Sequence, residues 1–206
     1  MLNIPKPTNN FNFFLLLITL FFYIWSVINP ADYFVWFLET VPVVIGFGMI
    51  FIFRKTFPLS DFLYRVILIH MIILCIGGHY TYAEVPLFNE LKEILHFKRN
   101  EYDKVGHFFQ GLTPALLTRE IILRKTDLKN KILIVIFSIS TALAFAALYE
   151  ILEWVAAVVT DSGTEFVGMQ GDVWDAQKDM LVALIGAIFA LIFLRKFHDR
   201  SYQKIT

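Results

Sequence analysis

Six apolar runs limit what this chain can fold into more than any other feature. They cover residues 11–28, 33–53, 62–78, 105–123, 130–159 and 180–194. A helix rises ~1.5 Å per residue and the hydrocarbon layer is ~30 Å thick, so about 20 apolar residues cross it. Within that layer the backbone must satisfy its own hydrogen bonds, and for runs of this length the helix does so. Composition agrees, since 57% of the 206 residues are hydrophobic, Phe contributing 22, against roughly 45–50% in a soluble domain. The sequence therefore predicts an all-α polytopic membrane protein. Residues 1–206 form a single helical-bundle domain with six transmembrane helices. Between the third and fourth, residues 87–100 mix Phe88, Leu91, Ile94 and Leu95 with Asn89, Glu90, Lys92 and Glu93. This is the pattern of a short amphipathic helix lying in the interface. The single cysteine, Cys75, excludes an intrachain disulfide.

Formal net charge is zero, but the charges are not evenly placed. Thirteen of the 18 Lys and Arg fall on the side of the spans that carries both termini, Lys6 among them. The positive-inside rule places that side, and so both termini, in the cytoplasm. Fourteen of the 18 Asp and Glu lie at or towards the other side, which makes the outer face electronegative. Membrane lipids are the expected partners, together with a small-molecule or lipid-linked substrate. No nucleic-acid partner is expected.

Four polar clusters share the outer level. They are His79-Tyr80-x-Tyr82-x-Glu84, Tyr102-Asp103-Lys104-x-x-His107, Tyr149-Glu150-x-x-Glu153, and the acidic stretch 168–179 with Asp172, Asp175, Gln177, Lys178 and Asp179. Asp103 and His107 are four apart and share a helical face, and a helical 172–179 would align its three aspartates. Glu150 lies deep in an apolar run, where an ionised carboxylate costs on the order of 3 kcal/mol unless paired, protonated or cation-bound. Carboxylates with an imidazole suit Mn, Zn, Fe or Ni, and carboxylates alone suit Mg or Ca. A divalent metal ion held by Asp172, Asp175, Asp179, His107 and Glu150 is one expectation. Glu150, Glu153, His107 and Asp103 would serve as acid and base, and His79, Tyr82, Glu84, Lys178 and Gln177 would line the substrate. The plainer readings are a helix cap for Asp172 and Asp175 and a local hydrogen-bonded pair for Asp103 and His107. His70 reads as a packed, hydrogen-bonded core histidine, and His96 and His198 as surface residues.

The stretches GGHYTYAEVP (77–86), RNEYDKVGHFFQG (99–111), ALYEILEW (147–154) and GTEFVGMQGDVWDAQKDM (163–180) resemble the YjdF-type family of bacterial inner-membrane proteins. A more distant resemblance is to VanZ-like membrane proteins, which are associated with glycopeptide-antibiotic tolerance. It rests on Asp103-Lys104-x-x-His107-Phe108, on Glu150-x-x-Glu153 where that family has Glu-x-x-Gln, and on Asp179 with Gly186. Ala183 stands where the VanZ pattern has Asn. These resemblances imply a polar core in a helical membrane protein and bring no reaction with them. Three functions remain open. One is a metal-assisted hydrolase or transferase acting on a lipid-linked or envelope substrate. The second is a transporter or proton/cation pathway. The third is an assembly or stress-response protein without chemistry.

Overall fold

The structure is a computed structural model that describes residues 10–161 and 170–205. Lys6, and residues 163–169 of the last motif (with Gly168 and Met169 of the acidic stretch), lie outside the described residues. The described chain is helical, with no strand among those residues. The helices are α1 (Asn10–Ser26), α2 (Tyr33–Phe53), α3 (Asp61–His79), α4 (Pro86–Leu95), α5 (Tyr102–Lys125), α6 (Lys131–Val159) and α7 (Asp175–Phe189). A π-helical turn, Ala190–Leu194, joins α7 to α8 (Arg195–Tyr202). Their starts reflect local chemistry. Asp32 caps α2 by accepting from the backbone N–H of Phe34 (2.7 Å) and Val35 (2.9 Å). Asn130 caps α6 in the same way, and Pro86 opens α4 where no N–H is needed.

Four helices are long and apolar enough to cross a membrane: Tyr33–Phe53, Asp61–His79, Lys131–Val159 and the continuous Asp175–Tyr202. Their outward faces are apolar, with Ile132 71% and Val159 77% exposed on α6. An apolar surface of this extent requires lipid, not water, around it. α1 is shorter at 17 residues. α5 has 24 residues but carries Asp103, Lys104, Arg119, Glu120, Arg124 and Lys125.

α5 is the axis of the bundle. It packs against α7, α6 and α3, while α1 and α2 pack mainly against α3. Asp103, Arg119 and Glu120 are thus shielded by neighbouring helices, and eleven residues of α5 are buried. The α5–α7 crossing is close because both helices present glycine there. A Cβ on Gly111 would overlap the Ala183 carbonyl, and one on Gly186 would overlap the Phe108 carbonyl. Ala115 of α5, Ala142 of α6 and Ala187 of α7 meet in the same layer, so small side chains let three backbones converge.

Three expectations are corrected. The amphipathic helix ends at Leu95, because His96 adopts a left-handed conformation (φ 55°) and residues 97–101 turn back into the bundle. Asp172 precedes α7 and does not share its face, so only Asp175 and Asp179 are one helical turn apart. His198 is fully buried. The π turn explains this: one extra residue rotates α8 by roughly 100° relative to an uninterrupted α-helix. The buried face of Ala183, Ala187 and Ala190 then continues through His198. There His198 joins a network with fully buried Glu120. Glu120 accepts from the Ser60 N–H (2.8 Å), the Ser60 hydroxyl (2.6 Å) and Arg124 (2.7 Å). Arg119 donates to His198 Nδ1 (2.9 Å), so the ring proton sits on Nε2, which donates to Glu120 (2.9 Å).

Candidate functional site

At the start of α5, about 25 Å along the helix from Glu120, four elements bring ionisable groups together. α5 supplies Asp103, Lys104 and His107. The start of α7 supplies Asp175 and Asp179, α6 supplies Glu150, and the 96–101 loop supplies Arg99. The His107 ring lies between carboxylates. Its Nε2 is 3.2 Å from Asp103 Oδ1 and 3.8 Å from Asp179 Oδ1, and its Nδ1 is 3.7 Å from Glu150 Oε1. Gln110, one turn on, meets Nδ1 at 2.7 Å and orients the ring. Lys104 Nζ bridges the two helices, 3.0 Å from Asp175 and 2.5 Å from Asp179. Arg99 covers the cluster, donating to Asp175 (2.5 Å) and Asp103 (3.4 Å). Burial disfavours the Arg99 charge, but Asp175 and then Asp103 outweigh it and hold the guanidinium above its ordinary pKa.

Among the described residues, two buried carboxylate oxygens, Glu150 Oε1 and Asp179 Oδ2, have no hydrogen-bond partner. An unsatisfied buried carboxylate oxygen is costly, and such atoms recur where a ligand or ion completes a site. Asp103, His107 and Asp179 each offer one ligand atom, all within 4.8 Å of one another. A donor set of two carboxylates and an imidazole fits Mn, Fe or Zn better than Mg or Ca.

The expected site residues divide. Asp103, His107, Glu150, Asp175 and Asp179 converge, and Glu153 lies one turn along α6 from Glu150, half-buried. Asp172 lies at the rim. It accepts from Lys178 and from the Trp174 N–H (3.0 Å), which together hold its carboxyl below the ordinary range. Gln177, Lys178 and Glu84 are exposed. His79 points away, with its Nδ1 3.1 Å from the Ser26 carbonyl and its ring against Trp25 (4.2 Å). Tyr82 is buried in a slot between Gly77 of α3 and Gly106 of α5. It reaches that slot through two successive left-handed residues, Thr81 (φ 53°) and Tyr82 (φ 57°), an uncommon backbone for a tyrosine.

Other contributors are not among the candidate site residues, although Asn100 and Gln170 lie within the stretches 99–111 and 163–180. Glu39 of α2 is buried and accepts from the Tyr149 hydroxyl (2.5 Å), which brings a further acid to α6. Its only sequence signal is an acid two turns into an apolar run. Asn100 and Gln170 tie the loops over the cluster. The Gln170 side chain accepts from the Asn100 N–H (3.2 Å) and donates to its carbonyl (2.9 Å). Replacing Gln170 with Ala strands both backbone groups and should cost about 1–3 kcal/mol. The readout is a lowered Tm together with faster proteolysis around residues 96–101.

The sequence matches the family described as "Predicted membrane protein (DUF2238)" over residues 11–200. The chain belongs to this family. The chain is also similar to the inner membrane protein YjdF of Escherichia coli strain K12, with 43% identity over 182 residues, 88% of this chain and 87% of the relative. No solved structure matches it. The family match reaches into every helix of the bundle, and the site described above lies wholly within it.

Proposed function

We propose that this DUF2238 member is a six-span inner-membrane protein, one bundle with both termini cytoplasmic and α4 in the outer interface. Its polar cluster faces the extracytoplasmic side. There it binds a divalent cation and acts as a hydrolase or transferase on a lipid-linked or envelope substrate. The distribution of Lys and Arg supports the orientation. α1 and α5 supply the two spans beyond the four most apolar ones, α5 because its neighbours shield Asp103, Arg119 and Glu120. The observation that carries the site reading is the buried trio Asp103, His107 and Asp179, with unpartnered oxygens on Asp179 and Glu150 beside it. A cation bound there would supply Lewis acidity. Glu150 is placed to take a proton from the attacking nucleophile, and Arg99 and Lys104 to hold an anionic group.

The expected result is that full-length protein purified with Mn2+ or Zn2+ retains the ion and gains Tm. Asp179→Asn removes a direct carboxylate ligand, so it should lose at least the roughly 10–100-fold in affinity that loss of an outer-shell partner costs. No bound divalent ion and no Tm shift, with Glu150→Gln fully active in complementation of a deletion strain, would overturn the reading.

A proton or cation pathway is the second reading, favoured by one observation. Polar residues continue along α5 from Asp103, His107 and Gln110 to Thr113, whose buried hydroxyl has no partner. His70 Nε2 on α3, packed against Phe109, is also buried without one. Flux into liposomes that Asp103→Asn and Thr113→Val both abolish would favour this pathway over hydrolysis.

A further inference from the structure

At the opposite end of the bundle, residues of α5, α6, α8 and the 126–129 connection line a cavity of about 520 Å3. Four cations face it: Arg119, Lys129, Lys131 and Arg195. Two acids face it, and Asp199 is already committed, lying 2.6 Å from Arg119 and 3.6 Å from Arg195. Neither Lys129 nor Lys131 makes an ion pair among the described residues, so the cavity carries unneutralised positive charge. The same lining includes apolar side chains, among them Leu123, Ile134 and Leu191. Leu191 belongs to the π turn and Arg195 comes directly after it. π turns of this kind are frequent at functional sites.

A cavity lined by both cations and apolar side chains, at the end of a membrane bundle, matches an anionic amphiphile. We propose that it binds a phosphate group at Lys129, Lys131 and Arg195, with an acyl chain along Ile134 and Leu191. Basic recesses between membrane helices on the cytoplasmic side take such headgroups. The site is independent of the cation cluster at the other end and does not rest on its chemistry.

The test uses full-length protein, native mass spectrometry and thermal shift. The probes are phosphatidylglycerol, phosphatidylcholine and inorganic phosphate. Phosphatidylglycerol should bind saturably and tighter than phosphatidylcholine. The double variant Lys129→Gln/Lys131→Gln should weaken it by about 30-fold. Both lysines are exposed, so the lipid-free Tm should not move. Lys55→Gln, which lies outside the cavity lining, should leave binding unchanged. Equal binding of the two lipids, or equal losses in Lys55→Gln and the double variant, would overturn the proposal. Inorganic phosphate that protects alone and displaces the lipid completely would identify a soluble phosphate as the ligand and overturn the amphiphile.

Discussion

Valine at position 111 should leave little folded protein. The ideal Cβ of residue 111 falls on the main-chain carbonyl of Ala183, and that of residue 186 on the carbonyl of Phe108. The obstacle in each case is backbone, which cannot rotate away as a side chain tip would, so α5 and α7 must move apart. Overpacking a well-filled core costs about 1–3 kcal/mol even when side chains can adjust, and a main-chain collision belongs at or above that upper figure. Such a loss is a large part of the ~5–15 kcal/mol that holds a typical domain. Separation would also pull Lys104 from Asp179 (2.5 Å) and His107 from Asp179 (3.8 Å). The measurement is the yield of monodisperse protein in detergent and its Tm. Gly48→Val is the matched control, because nothing lies within 4 Å of a Cβ there. A Gly111→Val protein that melts with the wild type would show that the close crossing does not hold the bundle.

That crossing shows what the sequence can and cannot convey. The helices are legible because hydrophobic runs, caps and prolines act locally, and α2 and α6 begin and end at the expected residues, Tyr33–Phe53 and Lys131–Val159. The central place of α5 is legible too, since a helix with His107, Arg119 and Glu120 must be shielded from lipid. The pairing of Asp103 with His107 comes from helical spacing alone. The depth of Glu150 comes from its place in an apolar run. The features that escape depend on long-range register. His198 reads as a surface residue because a π turn leaves no mark in hydropathy, yet rotates the helix it precedes. Helical spacing puts Asp172 on the face of Asp175 and Asp179, but α7 starts only at Asp175. His79, three residues from Tyr82 in sequence, turns to α1 while Tyr82 turns into the bundle, because two left-handed residues come after α3. Gln170 and Asn100 meet across a separation of 70 residues, a contact that no local pattern encodes.

Lys104→Met should destabilise the protein in the absence of divalent cations and make it more dependent on them. The ammonium of Lys104 sits among Asp103 (3.5 Å), Asp175 (3.0 Å) and Asp179 (2.5 Å) and is largely buried. It is therefore the built-in cation of the acidic cluster. Methionine keeps the length of the side chain and removes the charge, so the three carboxylates are left with Arg99 and His107 alone. Breaking a buried ion pair by removing one partner costs about 3–5 kcal/mol, because the other charge stays buried. If Asp103, His107 and Asp179 form a metal site, Mn2+ has one competitor fewer in Lys104→Met and binds tighter than in wild type. Binding at 100 times its Kd would return about 2.7 kcal/mol, most of what was lost, and Tm would climb with Mn2+ concentration. If the cluster is only an ion-pair lock between α5 and α7, the variant stays destabilised at every Mn2+ concentration. The Mn2+ response of Lys104→Met therefore separates the two readings, and the double variant Lys104→Met/Asp179→Asn tests whether that response needs the Asp179 carboxylate. It removes one charge of each sign, so it should recover stability without metal and lose the Mn2+ response that the single variant gains.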